Sequence, residues 1–325
     1  MEEDRIIYHY CSNTVLESIL KNKQLWMSDI ANSNDYNEIR ILIPKLFYMI
    51  EDLYKNQAFP FKYKEHNGVE GIVDILADVS QFIYNTYDSG FLTSFVSCFC
   101  EKGDVLSQWR GYANDGKGCS VGFSLKDLKK YCGNTNGTIR IEKVEYVDEK
   151  QLNSIIANAA QNCINELMNL KNKSENFLTN KQSILRGELT DIIMMLFFKD
   201  YLEGIILDSL KYKWNAFQEE HEWRIYFGSI SKLEKVLFGE GNKTEELLRE
   251  FDGASHLLAG KLKFSIRDDV IVPYYPIELK EVSDSPIKTV IIGPKNRSKT
   301  LDVRLMLASY GLNSVDVKYS KIAYR

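Results

Sequence analysis

The sequence predicts a mixed α+β fold, from three observations. Short runs rich in β-branched and aromatic residues recur along the chain, as at Arg5–Tyr10, Leu92–Cys100 and Trp223–Phe227. Amphipathic stripes at helical spacing lie scattered among these runs and do not alternate with them strictly. Neither an internal repeat nor a low-complexity tract interrupts the pattern, so the 325 residues read as one domain.

Taken in order, Arg5–Tyr10 is the first strand, with His9 breaking its apolar character. Ser12 or Asn13 can cap the following helix, whose apolar face is Leu16, Ile19 and Leu20. Leu25–Ser28 is a short strand, and Asn32–Asp35 a polar turn. Two amphipathic helices are expected next, one on Ile39, Ile43, Leu46, Ile50 and Leu53, the other on Val69, Ile72, Leu76, Val79 and Ile83. The strand Leu92–Cys100 precedes a short helical segment around Trp109. Strands follow at Cys119–Phe123 and Thr138–Val147. From about 148 to 213 the pattern is helical, with Leu152, Ile155, Ala159, Cys163, Leu167 and Leu170 on one stripe. Its apolar content and lack of Pro and Gly mark it as a helical insertion and not a linker. After Trp223–Phe227 comes a polar helix at Asn242–Phe251, then strands at Leu262–Ile266, Val270–Val272 and Ile277–Val282. The chain closes with a strand at Thr289–Ile292, a helix at Leu301–Tyr310 and a strand at Val315–Tyr319.

Composition narrows the class. A hydrophobic content of 44% with 26% charged residues is that of an ordinary globular protein. The net charge of −4 supplies no basic field for wholesale binding to a nucleic-acid backbone. The acidic start, Met1–Arg5, does not read as a signal peptide, and no apolar run approaches the roughly 20 residues of a membrane span. The six cysteines fit neither a disulfide scaffold nor a zinc spacing, so a cytoplasmic protein with reduced thiols is expected.

The densest chemistry is Gln218–Phe227, three carboxylates and a histidine against a strand of aromatics. Glu220 and Glu222 stand two residues apart at a strand entrance, so their side chains share one face. Paired carboxylates can stabilise a cationic transition state or move a proton. The plain alternative is a surface salt-bridge cluster with Arg224, worth little. His221 faces away from Glu222 and the remaining histidines have no ligand spacing, so no metal site is expected. His9 can hydrogen-bond a ligand hydroxyl or be a core histidine satisfied by a carbonyl. Trp109, Arg110 and Tyr112 can stack on a planar ring and pair with phosphate, or simply pack. The basic turn Gly293–Lys299 precedes a helix but lacks P-loop spacing, and an exposed turn is its default reading.

Several motifs together resemble the bacterial domain of unknown function 2971 family. They are Tyr8-His9-Tyr10-Cys11-Ser12, Leu25-Trp26-Met27-Ser28, Ser97-Cys98-Phe99-Cys100, Trp109-x-x-Tyr112-Ala113, Glu220-x-Glu222-Trp223-Arg224-Ile225, Ile292-Gly293-Pro294 and the closing Ser320–Arg325. More loosely, the order of a histidine on the first strand, a middle Ser or Tyr segment and a late Glu-x-Glu is similar to ADP-ribosyltransferases. That resemblance implies a mainly antiparallel sheet core of ADP-ribosyltransferase-like type with helical insertions. It implies NAD as substrate and a macromolecular acceptor, protein or nucleic acid, with a toxin or phage-defence role. Glu222 would stabilise the ribosyl cation, Glu220 orient the acceptor, and His9 hold a ribose, with Tyr10, Ser97, Trp109, Arg110 and Tyr112 lining the NAD. Cys100 stands where the middle motif would carry a serine. An NAD glycohydrolase, or a non-catalytic module binding a nucleotide or a protein, are the alternatives.

Overall fold

The computed structural model describes residues 5–30, 95–135, 139–178, 208–227, 263–267 and 269–324, with isolated positions between 42 and 52 and between 201 and 205. Most of the two helices expected over 39–83, and the helix expected at 242–251, lie outside the described residues.

The architecture is α+β, built on a mainly antiparallel sheet. Strand β1 (Ile6–Cys11) leads into helix α1 (Asn13–Asn22), and β2 (Gln24–Asp29) returns along it. Ser12 caps α1, its hydroxyl accepting the Val15 N–H at 3.2 Å, and Leu16, Ile19 and Leu20 form the buried face. Strand β3 (Phe95–Cys100) is followed by α2 (Leu106–Tyr112), β4 (Cys119–Ser124) and α3 (Leu125–Gly133). The sequence pattern between Phe123 and Thr138 does not announce helix α3. Ser124 caps it by accepting the Asp127 N–H, and Leu125, Leu128 and Cys132 bury its inner side.

The expected strand over 138–147 divides in two, β5 (Ile139–Lys143) and β6 (Glu145–Val147), which join different sheets. Between them, Val144 is buried and donates its N–H to the Glu222 carbonyl. Helix α4 (Glu149–Leu178) is opened by a reciprocal box in which Asp148 accepts the Gln151 N–H and Gln151 accepts the Asp148 N–H. Its fully buried stripe is Leu152, Ile156, Ala160 and Cys163, rotated slightly from the expected one, with Ile155 and Ala159 half-buried. Strand β7 (Tyr212–Trp214), a 3-10 helix (Asn215–Glu220) and β8 (Glu222–Phe227) complete this half.

Strands β9 (Lys263–Arg267) and β10 (Val270–Glu278) form a hairpin. The two short strands expected at 270–272 and 277–282 are instead one nine-residue strand and a short helix, α5 (Leu279–Val282). Pro273 does not break the strand: in a two-residue hairpin closed by Arg267 and Val270, the position opposite Phe264 donates no ladder hydrogen bond. Strand β11 (Ile287–Ile292), helix α6 (Thr300–Ser309) and β12 (Asp316–Tyr319) form a βαβ unit whose strands are parallel.

The large sheet runs β12-β11-β4-β1-β3-β2-β10-β9, with β8 and β5 added on the far edge of β3. Strand β3 is the junction. It pairs with β8 along most of its length, with β1 only at Cys100 opposite Tyr8, and with β2 at Val96 and Phe95. Beyond Tyr8 the strands β1 and β3 part, so the sheet forks there. One face carries the main core: Ile7, Leu20, Met27, Phe95, Phe99, Phe123, Trp223, Ile225 and Val290 beneath α1, α3 and α6. The opposite face holds a smaller cluster of Tyr10, Cys100, Trp109, Ala113 and Ile291 under α2 and the C-terminal Ile322. Among the described residues no helix is long and apolar enough to cross a membrane.

Candidate functional site

Strand β8 divides its side chains as alternation requires. Trp223 and Ile225 enter the main core, while Glu222 and Arg224 face the other side. Both charged residues are buried, with Glu222 5% and Arg224 1% exposed. They satisfy each other: Arg224 Nε donates to Glu222 Oε1 at 2.7 Å and its terminal nitrogen to Oε2 at 2.9 Å. A second terminal nitrogen of Arg224 donates to the Leu210 carbonyl at 3.0 Å. The expected alternative of a salt bridge with Arg224 is therefore present, but it is buried and not on the surface.

Lys213 joins this pair from β7. Its ammonium lies 2.6 Å from Glu220 Oε2 and 3.3 Å from Glu222 Oε2. Glu220 does not belong to the strand. It ends the 3-10 helix, and His221 turns the chain in the left-handed region, at φ 44°, before β8 begins. The two carboxylates thus converge through a turn and a shared cation, not through strand alternation. Tyr112, the last residue of α2, donates its hydroxyl to Glu220 Oε1 at 3.1 Å. Tyr146 accepts the Glu222 N–H at 2.8 Å, and the Cys98 thiol, opposite Arg224 on β3, donates to the Glu222 carboxylate. None of the six cysteines is in a disulfide, and Cys98 is the exposed one.

Environment pushes the two carboxylates apart. Burial raises Glu222, but Arg224, Lys213 and the Cys98 thiol outweigh it and hold the carboxyl at about 2. Burial also raises Glu220, and there Lys213 and Tyr112 do not outweigh it, so its carboxyl stays above the ordinary range. One group is a fixed anion and the other has an elevated affinity for a proton.

His9 is elsewhere. Pairing carries Tyr8, Cys100 and Glu222 on one face, so His9 lies on the other, with its ring against Phe99. Its Nδ1 is 2.9 Å from the Cys98 carbonyl and so carries the proton, leaving Nε2 as an acceptor in the neutral ring. Burial holds this imidazole below the ordinary histidine range, against the pull of the Cys98 carbonyl. His9 therefore bridges the fork between β1 and β3 and does not meet Glu222.

The remaining expected residues are spread. Trp109 is fully buried, its indole N–H donated to Asp104 at 2.7 Å and its ring edge-on to Tyr10, which leaves no face for a ligand ring. Tyr10 is buried too, with its hydroxyl donated to the Lys102 carbonyl and accepting the Val105 N–H. Ser97 is buried on the core face, away from Glu222. Arg110 lies over the Tyr324 ring, 4.8 Å from its centre. Tyr112, 42% exposed, is the expected ring-binding residue that does reach the carboxylates. His221 accepts from the Lys102 ammonium at 3.1 Å. In the Gly293–Lys299 turn, Lys295 pairs with Asp115 at 2.9 Å. Backbone contact fixes that turn: a Cβ on Gly118 would strike the Cys11 carbonyl, and one on Gly293 the Gly116 carbonyl.

Lys213 was missed. It sits in a strand of three residues directly after a helical stretch, and the alternation in Tyr212-Lys213-Trp214 is too short to register as a strand.

The fold is thus a forked, mainly antiparallel α+β sheet with a buried charge cluster on one face of β8. Residues 108–225, about a third of the chain, match the family described as protein of unknown function (DUF2971). That stretch includes Trp109, Tyr112, Lys213, Glu220, Glu222 and Arg224, and it runs through the helical region that the motif resemblance left out. No curated protein and no solved structure matches the chain.

Proposed function

We propose that this face is an ADP-ribosyltransferase-like site that cleaves NAD and passes ADP-ribose to a macromolecular acceptor or to water. The observation that carries the reading is the pair Glu220 and Glu222, joined by one ammonium and driven to opposite proton affinities. Such divergence within a pair separates an ionised stabiliser from a proton-handling group.

In the reaction the C1′–N bond to nicotinamide breaks and its electron pair stays on the ring nitrogen. The ribosyl group is left as an oxocarbenium-like cation. Glu222, ionised throughout, is the carboxylate set under that cation, its charge shared with Arg224. Glu220 takes the proton from the attacking acceptor as the new bond to C1′ forms. Tyr112 orients Glu220 and offers a ring edge to the ligand. His9, on the opposite face of the sheet, takes no part in this step.

One observation favours a second reading. Both Glu222 oxygens are engaged by Arg224, which suits a cluster that shapes a non-catalytic nucleotide- or protein-binding module. Chromatography of free nicotinamide after incubation with NAD separates the two. The wild type is expected to release nicotinamide, and Glu220→Gln to lose that release while its near-ultraviolet circular dichroism stays that of the folded protein. A wild type that neither releases nicotinamide nor melts differently with NAD present overturns the enzyme.

A further inference from the structure

Lys213 comes from a strand of only three residues, yet it is 5% exposed and touches both carboxylates. The Phe217 ring covers it, 4.7 Å from the ammonium. Stripping water from an ammonium is costly unless anions replace the lost hydration, and here two do. Arg224 hydrogen-bonds Glu222 and the Leu210 carbonyl, whereas Lys213 reaches across to Glu220. Two anions and two cations balance, and Lys213 is the member shared between the end of the 3-10 helix and the start of β8.

We propose that Lys213 is the positioning residue of this site, tying Glu220 to Glu222 and fixing the charge that Glu220 carries. The consequence for turnover rests on the reading above, in which Glu220 accepts a proton. The tie itself is a property of the folded chain.

The groups that face Glu220 set the sign of the effect. Lys213 from β7 lowers its proton affinity, as does the Tyr112 hydroxyl from α2. Burial and the Glu222 charge from β8 raise it. Cys100 of β3 and Tyr146 of β6 also sense the Glu220 charge, and both are themselves raised by burial first. Arg224 is committed to Glu222. Removing the ammonium therefore leaves every influence that raises Glu220 and deletes the largest that lowers it. Glu222 keeps Arg224 and stays ionised.

The test is a carbon-13 titration of the Glu220 carboxyl in the wild type, Lys213→Met and Lys213→Arg. The midpoint is expected to move to higher pH in Lys213→Met and to return toward the wild-type value in Lys213→Arg. The acid limb of nicotinamide release moves the same way, with kcat falling more than KM for NAD rises. A folded Lys213→Met whose Glu220 midpoint does not move overturns the proposal. Should Lys213→Met fail to fold, coupling is read from the other side. In Glu220→Gln the nitrogen-15 titration of the Lys213 ammonium must fall below that of the wild type, and an unchanged value overturns the tie. Neither titration needs turnover. A wild type that releases no nicotinamide therefore removes the enzyme reading, and the midpoints alone still judge Lys213.

Discussion

Two clusters of charge tie distant parts of this chain together, and they differ in access to water. In the first, Lys213, Glu220, Glu222 and Arg224 meet at 2.6–3.3 Å in the interior. In the second, Asp115 accepts from Lys295 at 2.9 Å and from the Tyr324 hydroxyl at 2.6 Å, and Lys295 and Arg110 both lie over the Tyr324 ring. The contact distances are alike, so distance does not rank them. Buried charges that lose a partner have no water to turn to, whereas exposed ones do. Backbone contacts also hold the second region: Gly293 donates to the Gly118 carbonyl and Lys295 to that of Gly116. Its side-chain charges add to a joint that is already closed.

The comparison breaks most visibly at Arg224. Arg224→Met leaves the buried Glu222 anion with Lys213 and the Cys98 thiol and leaves the Leu210 carbonyl short of a donor. Losing one partner of a buried pair costs about 3–5 kcal/mol. Urea denaturation of Arg224→Met is expected to show a loss of that order. The double variant Glu222→Leu, Arg224→Met removes both charges and should lose less than Arg224→Met. A double variant worse than the single would mean that the pair is more than a balanced burial of opposite charges.

A smaller effect appears with acid. The Glu222 carboxyl sits at about 2 in the fold, against about 4.3 in an unfolded chain. A depressed carboxyl contributes stability that is fully present above the unfolded value and is lost as pH falls through the folded one. The contribution is on the order of 3 kcal/mol, disappearing between about pH 5 and pH 1. Glu220 runs the other way, because a raised carboxyl stabilises below its ordinary value and loses that as pH rises through the folded value. Stability curves from pH 7 to pH 2 for the wild type and Glu222→Gln check the sign. The variant should show the shallower acid decline, and parallel curves would place the acid sensitivity in other carboxyls.

These differences bear on what could be read from residues alone. Alternation in Trp223-Arg224-Ile225 marks a strand with one face inward, and Trp223 and Ile225 do enter the main core with Arg224 on the other side. Whether that face was wet or dry depended on α2, β6 and β7 closing over it, and no local pattern encodes such closure. Glu220 and Glu222 do converge, but through the left-handed turn at His221, a conformation that a histidine adopts under tertiary constraint. The distance between His9 and Glu222 hinged on a parity: one intervening strand, β3, and an odd step from Tyr8 put them on opposite faces. Strand order is a long-range property, so a motif order of His, Tyr and Glu could not reveal it. Trp109 shows the same limit, since Asp104 and Tyr10 claim it from either side.

The smallest effect is expected at Asp115. Its carboxyl is held below the ordinary range by the Tyr324 hydroxyl and Lys295, but it stands in water. Exposed pairs of this kind are screened within a Debye length of about 8 Å at physiological salt. Asp115→Asn keeps an acceptor for Tyr324 and removes only the charge. Its melting temperature should differ little from that of the wild type in dilute buffer, and the difference should vanish in about 1 M salt. Arg224→Met should keep nearly all of its loss at the same salt, because ions do not enter the space it occupied. If Asp115→Asn instead lost as much as Arg224→Met and kept that loss in salt, burial would not be what separates the two clusters. The C-terminal Tyr324 would then be fastened by charge and not by the backbone joint at Gly118 and Gly293.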